Sequence, residues 1–206
     1  MSIGIIDVGI GNIGSLRGAL YSQGWDTKTV ATVSDMTDVS HLFLPGVGSF
    51  SVAMQRLRAS GLIDSIHQHA DNGRPIMGIC LGMQLLADQG EEGGRSTGLG
   101  LIPGETIRFR IPPPFRLPHV GWNVLHPQQQ HPLLKGIRAD VDFYFVHSYF
   151  FNAYRQADVV GTTEYGINFP SFVASGSVVG AQFHPEKSQR NGLRLLDNFC
   201  LWDGSC

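Results

Sequence analysis

The chain has 206 residues, with 15 Lys and Arg against 17 Asp and Glu, a formal net charge of -2 and a pI near 6.4. That length suits one domain with a well-buried core, taken as residues 1–206, and the weak charge gives no field to gather nucleic acid or an anionic membrane. The opening "MSIGIIDVG" has no basic leader region and no apolar run approaches the roughly 18 residues that span a bilayer, so a soluble, cytoplasmic protein is expected.

In chain order, "IGIID" (3–7) reads as a strand and "IGSLRGALYSQG" (13–24) as a helix. Gly9, Gly11 and Gly14 between them have the G-x-G-x-x-G spacing of a dinucleotide site. Asp7, however, would set a carboxylate against a pyrophosphate, and "DTKTVAT" (26–32) ends without the acid that would hold a ribose, so a tight turn is the better reading. Residues 27–32, 41–46 and 75–80 continue as strands, with helical patterns over 61–73 and 81–89. Such alternation means parallel strands covered by helices. The second half changes character. Residues 105–111, 141–151, 158–165, 171–175 and 177–185 read as strands joined by turns, and 192–202 as a closing helix. The fold class is therefore α/β, a mostly parallel sheet flanked by helices with additional antiparallel strands. "RIPPPFRLPHVGWN" (110–123), crowded with proline, reads as a surface loop.

The most informative stretch is "PIMGICLGMQLL", a buried strand running into a helix through Gly78-Ile79-Cys80-Leu81-Gly82. This is the nucleophile-elbow pattern with cysteine in the nucleophile's place. A sulfur at the first turn of a helix sits where the N-terminal dipole favours thiolate. Cys200 and Cys206 lack such a setting, and three cysteines so far apart make neither a disulfide framework nor a paired-cysteine metal site, so reduced thiols are expected. The context comes 104 residues after Cys80, in "GAQFHPEKS". His184 and Glu186, two apart at a strand end with Pro185 holding the backbone extended, would lie on one face. A carboxylate beside an imidazole fixes its tautomer and supports its charged form, as a cysteine's general base requires. Metal binding is a weak rival, because one Cys, one His and one Glu contain no close-spaced ligand pair. In "HLFLPGVGSF", Gly46 and Gly48 bracket Val47 at another strand end, where the Val47 amide could serve an oxyanion beside the Leu81 amide.

Together "PGVGSF", "GICLGMQLL" and "HPE", in this order and spacing, resemble the class I (triad) glutamine amidotransferases, over almost the whole chain. "PHVGWN" and "FYFVHSYF" resemble one branch of that family, the glutaminase subunits of imidazole glycerol phosphate synthase. The resemblance implies a flavodoxin-like fold in a single amidotransferase domain, and L-glutamine as substrate with no cofactor. It implies Cys80 as nucleophile, His184 as acid and base, Glu186 as its orienting group, and the Val47 and Leu81 amides as the oxyanion hole. Gly46, Gly48, Gln84, Ser148 and Tyr149 would meet glutamine, while Asn12, Trp122, Tyr144 and Lys187 would face a (β/α)8 cyclase subunit that takes up the ammonia. Val8 departs from the aromatic residue expected in "D-Y-G-x-G-N", near the partner and away from the triad. Valine at position 47 resists the dihedrals needed to turn its amide inward, which would keep the glutaminase idle until the partner is liganded.

Two other readings meet obstacles, and a third stays open. A cysteine peptidase or chaperone on a similar sheet usually carries histidine directly after the nucleophile, where Leu81 stands. A non-catalytic scaffold has no need to keep Cys80, His184 and Glu186 together. A relative that feeds ammonia to another synthase, such as an amidinating enzyme of surface-sugar pathways, differs only in its partner.

Overall fold

Runs of apolar, often β-branched residues in the first half form the strands of one sheet, each too buried to alternate with polar residues. The computed structural model describes residues 2–139 and 141–205. Strands β1 (Ile3–Ile6), β2 (Thr27–Val30), β3 (His41–Gly46) and β4 (Ile76–Cys80) are parallel, and β1, β3 and β4 are buried at every position. Helix α1 (Ile13–Ser22) joins β1 to β2, α2 (Phe50–Ser60) and α3 (Ile63–Asp71) join β3 to β4, and α4 (Leu81–Leu85) follows β4. Then come β5 (Gln89–Gly90), β6 (Ser96–Thr97), β7 (Gly104–Arg108), β8 (His119–Val124), β9 (His126–Pro127), β10 (Asp142–His147), β11 (Tyr149–Ala153), β12 (Val159–Glu164), β13 (Asn168–Ser175) and β14 (Val178–Ala181), before α5 (Gln189–Leu201).

The main sheet has the order β2-β1-β3-β4-β14-β13-β12-β9. Its five strands from β2 to β14 are parallel and its last three antiparallel. Two small sheets, β11-β7-β5-β6 and β10-β8, extend it. Side chains sort by strand parity onto two faces. Ile5, Phe43, Met77 and Ile79 join Leu16 and Leu20 of α1 and Leu195, Leu196 and Phe199 of α5. Ile6, Leu42, Leu44 and Ile76 meet Phe50, Met54 and Leu57 of α2 and Ile66 of α3 on the other.

The α/β architecture agrees with the sequence expectation, and four local features differ from it. Helix α2 is additional, although Phe50, Ala53, Met54 and Leu57 stand at helical spacing and are all buried. The end of the expected surface loop, residues 119–123, belongs to β8, because β8 pairs with β10 from Asp142↔Val124 to His147↔His119. The expected strand over 141–151 is two strands divided at Ser148, one paired with β8 and the other with β7. The "HPE" segment is a tight 3-10 turn over Pro185–Lys187, since proline's fixed φ suits the first helical position as well as extended chain. Cys80 and Cys200 are free and buried, while Cys206 lies outside the described residues.

Candidate active site

The C-terminal ends of β3, β4 and β14 lie side by side, with Gly46 opposite Cys80 and Ala181 opposite Ile79. At the end of β4 the chain turns sharply into α4, and Cys80 takes φ 55 and ψ -110, a conformation that costs a residue with a Cβ about 1 to 3 kcal/mol. Gly82 makes the turn possible, because a Cβ there would stand 1.7 Å from the Leu44 carbonyl oxygen. Leu81 heads α4, so its N–H has no acceptor one turn earlier in the helix.

His184 follows β14, and its Nδ1 lies 2.8 Å from Glu186 Oε1, with both side chains 5% exposed. The turn is braced from outside: the His184 amide donates to the Tyr144 carbonyl at 2.8 Å, and Ser188 Oγ donates to the His184 carbonyl at 2.6 Å. Burial works against protonating His184, but Cys80 and Glu186 outweigh it and raise its pKa to about 10. Among the described residues, its buried Nε2 has no hydrogen-bond partner.

A cavity of about 240 Å³ opens beside this group, lined by Val47, Gly48, Cys80, Leu81, Gln84, Glu92, Val146, His147, Ser148, Tyr149 and His184. Gly46 stands behind it, against Gly82. The Val47 N–H donates to the Ile10 carbonyl at 2.5 Å. Glu92 enters from the β5–β6 connection, where burial raises its pKa and the Phe50 amide donates to it at 3.3 Å. Nothing around Glu92 in the sequence marks it. A lone carboxylate in a glycine-rich turn has no spacing to read.

Beneath the cavity runs a polar chain whose proton positions follow from one fixed acceptor, the Tyr149 carbonyl. His147 Nδ1 donates to it at 2.8 Å, so His147 Nε2 is the acceptor for His119 Nδ1 at 3.0 Å. His119 Nε2 in turn accepts from Asn123 Nδ2 at 3.4 Å. Burial lowers the pKa of His119 to about 4. Burial first, then the charges of His119 and His184, lower that of His147 to about 3. Both imidazoles are neutral at ordinary pH.

On the outer face of β8 and β10, Trp122 is 47% exposed and packs edge-on to Tyr144 at 6.0 Å, with Lys187 Nζ 5.7 Å from the Tyr144 ring. Val120 and Val146 extend this face. Asn12 is exposed and caps α1, accepting from the Ser15 amide.

A strained cysteine elbow opposite a histidine–carboxylate pair, at the C-terminal edge of a parallel sheet, is an arrangement suited to hydrolysis by a thiol nucleophile. The family model "Glutamine amidotransferase class-I" matches residues 4–202, and the chain belongs to that family. It is 46% identical over 200 residues to the imidazole glycerol phosphate synthase subunit HisH of Desulfitobacterium hafniense, covering 97% of this chain and 94% of that one. It is 44% identical to the HisH subunit of Moorella thermoacetica, covering 96% and 93%. Among solved structures, a glutamine amidotransferase aligns with TM-score 0.76 at 20% identity over 98% of both chains. The PurLQS structure from Thermotoga maritima aligns with TM-score 0.77 at 17% identity over 97% of both, and these two likenesses concern the fold.

Proposed function

We propose that the chain is the glutaminase subunit of an imidazole glycerol phosphate synthase. It hydrolyses L-glutamine and passes ammonia to a cyclase subunit in histidine biosynthesis, in the cytoplasm. The observation that carries this reading is the meeting of Cys80 with the His184–Glu186 pair at one cavity. Glu92 in the cavity wall suits the substrate's ammonium, and the Gln84, Ser148 and Tyr149 surface suits its amino-acid end.

Cys80 Sγ attacks the side-chain amide carbon, and the oxyanion that forms is held by the Leu81 N–H. His184 gives a proton to the departing nitrogen, ammonia leaves, and a thioester remains. Water then attacks that carbonyl, His184 takes its proton, and the C–S bond breaks to release glutamate. Glu186 holds the imidazole ring and favours its charged form throughout. The second oxyanion donor, the Val47 N–H, is engaged by Ile10 and enters only when the Gly46–Val47 peptide turns over. Partner binding supplies that turn, with Trp122, Tyr144, Lys187 and Asn12 at the contact.

Cys80→Ala is expected to abolish glutamate release by the complex and to preserve its synthesis of imidazole glycerol phosphate from added ammonia. Glutaminase activity that survives the substitution overturns the assignment. Ammonia-dependent synthesis that never occurs with the native cyclase overturns the partner.

A further inference from the structure

Gln182 is wholly buried on the strand end that leads to His184, and the chemistry above gives it no part. Its surroundings fix the orientation of its amide. The Tyr149 carbonyl can only accept, so the Gln84 atom 3.0 Å away is Nε2. That same nitrogen lies 3.0 Å from Gln182, which must therefore present Oε1. Gln182 Nε2 is thereby turned onto Cys80 Sγ, at 3.8 Å. Beside the His184 imidazole, the remaining polar neighbour of the sulfur is the Val146 carbonyl at 3.9 Å, which a thiol can satisfy and a thiolate cannot. Apart from the charged His184 imidazole, the Gln182 contact is the one that survives deprotonation, and a donor aimed at a charged form stabilises it.

We propose that Gln182 is a positioning residue: it steadies the nucleophilic sulfur through its N–H, and through its Oε1 it obliges Gln84 to keep its amide oxygen toward the substrate. With both Gln84 hydrogens committed to Tyr149 and Gln182, only the oxygen of that amide is left for a ligand, and it calls for a donor such as an ammonium group. Donation thus runs outward from Gln84, through Gln182 to the sulfur on one side and to the Tyr149 carbonyl on the other, where the His147–His119–Asn123 chain also ends. The inference rests on the glutaminase reading.

The test uses Gln182→Met, which keeps the volume and removes both polar contacts, beside Gln84→Met, which removes the ligand-facing amide with its bonds to Tyr149 and Gln182 but leaves the Gln182 N–H to reach the sulfur. Alkylation by iodoacetamide at pH 7 is followed by mass spectrometry of the Cys80 peptide in the full-length chain, and glutaminase kinetics are measured in the complex with the cyclase subunit. Gln182→Met is expected to slow Cys80 alkylation about tenfold, the lower end for a hydrogen bond to a charged group, and to raise KM severalfold. Gln84→Met should raise KM while Cys80 alkylates within twofold of the wild-type rate. Wild-type alkylation in Gln182→Met overturns the proposal, as does equal slowing in both variants, which marks general loosening. If Gln182→Met does not fold, wild-type protein with 15N-labelled glutamine side chains serves instead: alkylating Cys80 must shift one slowly exchanging amide pair, and an unchanged spectrum overturns the proposal. A wild-type complex that releases no glutamate overturns the glutaminase reading and leaves the alkylation comparison standing.

Discussion

Val47→Gly should wake the isolated glutaminase. Turning the Gly46–Val47 peptide inward breaks the Val47 N–H bond to Ile10, a net cost of about 1 kcal/mol. It also drives Val47 toward positive φ, which adds about 1 to 3 kcal/mol for a residue with a Cβ and little for glycine. Wild-type protein alone thus holds the inward peptide in roughly 0.1 to 3% of molecules at a total of about 2 to 4 kcal/mol. Removing the side-chain part raises that population by about 5- to 150-fold. The substitution empties no core site, because Val47 is 49% exposed. Glutamate release by the isolated chain is therefore expected to rise at least about fivefold, with the rate in the fully liganded complex little changed. A variant no faster than wild type, with its melting temperature intact, refutes the peptide turn as the barrier.

Three more outcomes follow from the geometry. His184 has a folded pKa of about 10 against an ordinary 6.5, so its stabilising effect is complete below about pH 6.5 and is lost as pH rises through about 10. The melting-temperature advantage of wild type over Glu186→Gln should shrink across that window, and a gap that widens refutes the ion pair. Gly82→Ala puts a methyl against the Leu44 carbonyl oxygen, so a loss of about 3 kcal/mol in denaturant unfolding is expected, and a neutral result refutes the close approach. Trp122→Ala should weaken the cyclase complex by about 2 kcal/mol in calorimetry and leave the chain's own stability within about 1 kcal/mol; the reverse pattern makes Trp122 a core residue.

Buried parallel strands were legible because β1, β3 and β4 need apolar residues on both faces, and continuous runs announce them. Strand β8 was hidden by the prolines and glycine around it; what makes it a strand is β10, a partner from elsewhere in the chain. Nothing local breaks "FVHSYFF" either, and the division at Ser148 arises because its two halves pair with different sheets. The periodicity of α2 was present in the letters just after "PGVG", a stretch read only for its strand end and its oxyanion amide. Cys80, His184 and Glu186 stood out because turn glycines and a two-residue spacing frame them. Gln182, Glu92 and the His119–His147 pair act through contacts between distant elements, and only the position of Gln182 two residues before His184 gave a local sign of a role.

The pairing of β4 with β14 sets a timetable for the nascent chain. Ile76 and Val178 are register partners 102 positions apart, so at about 5 to 20 residues per second the strand bearing Cys80 leaves the ribosome roughly 5 to 20 s before the strand that brings His184. Parallel neighbours so distant in sequence join late. During that interval the thiol has neither its base nor Gln182 beside it, and the ribosome-bound chain is a sheet without a reaction. Hydrolytic competence waits on β14, which takes its place between β4 and β13.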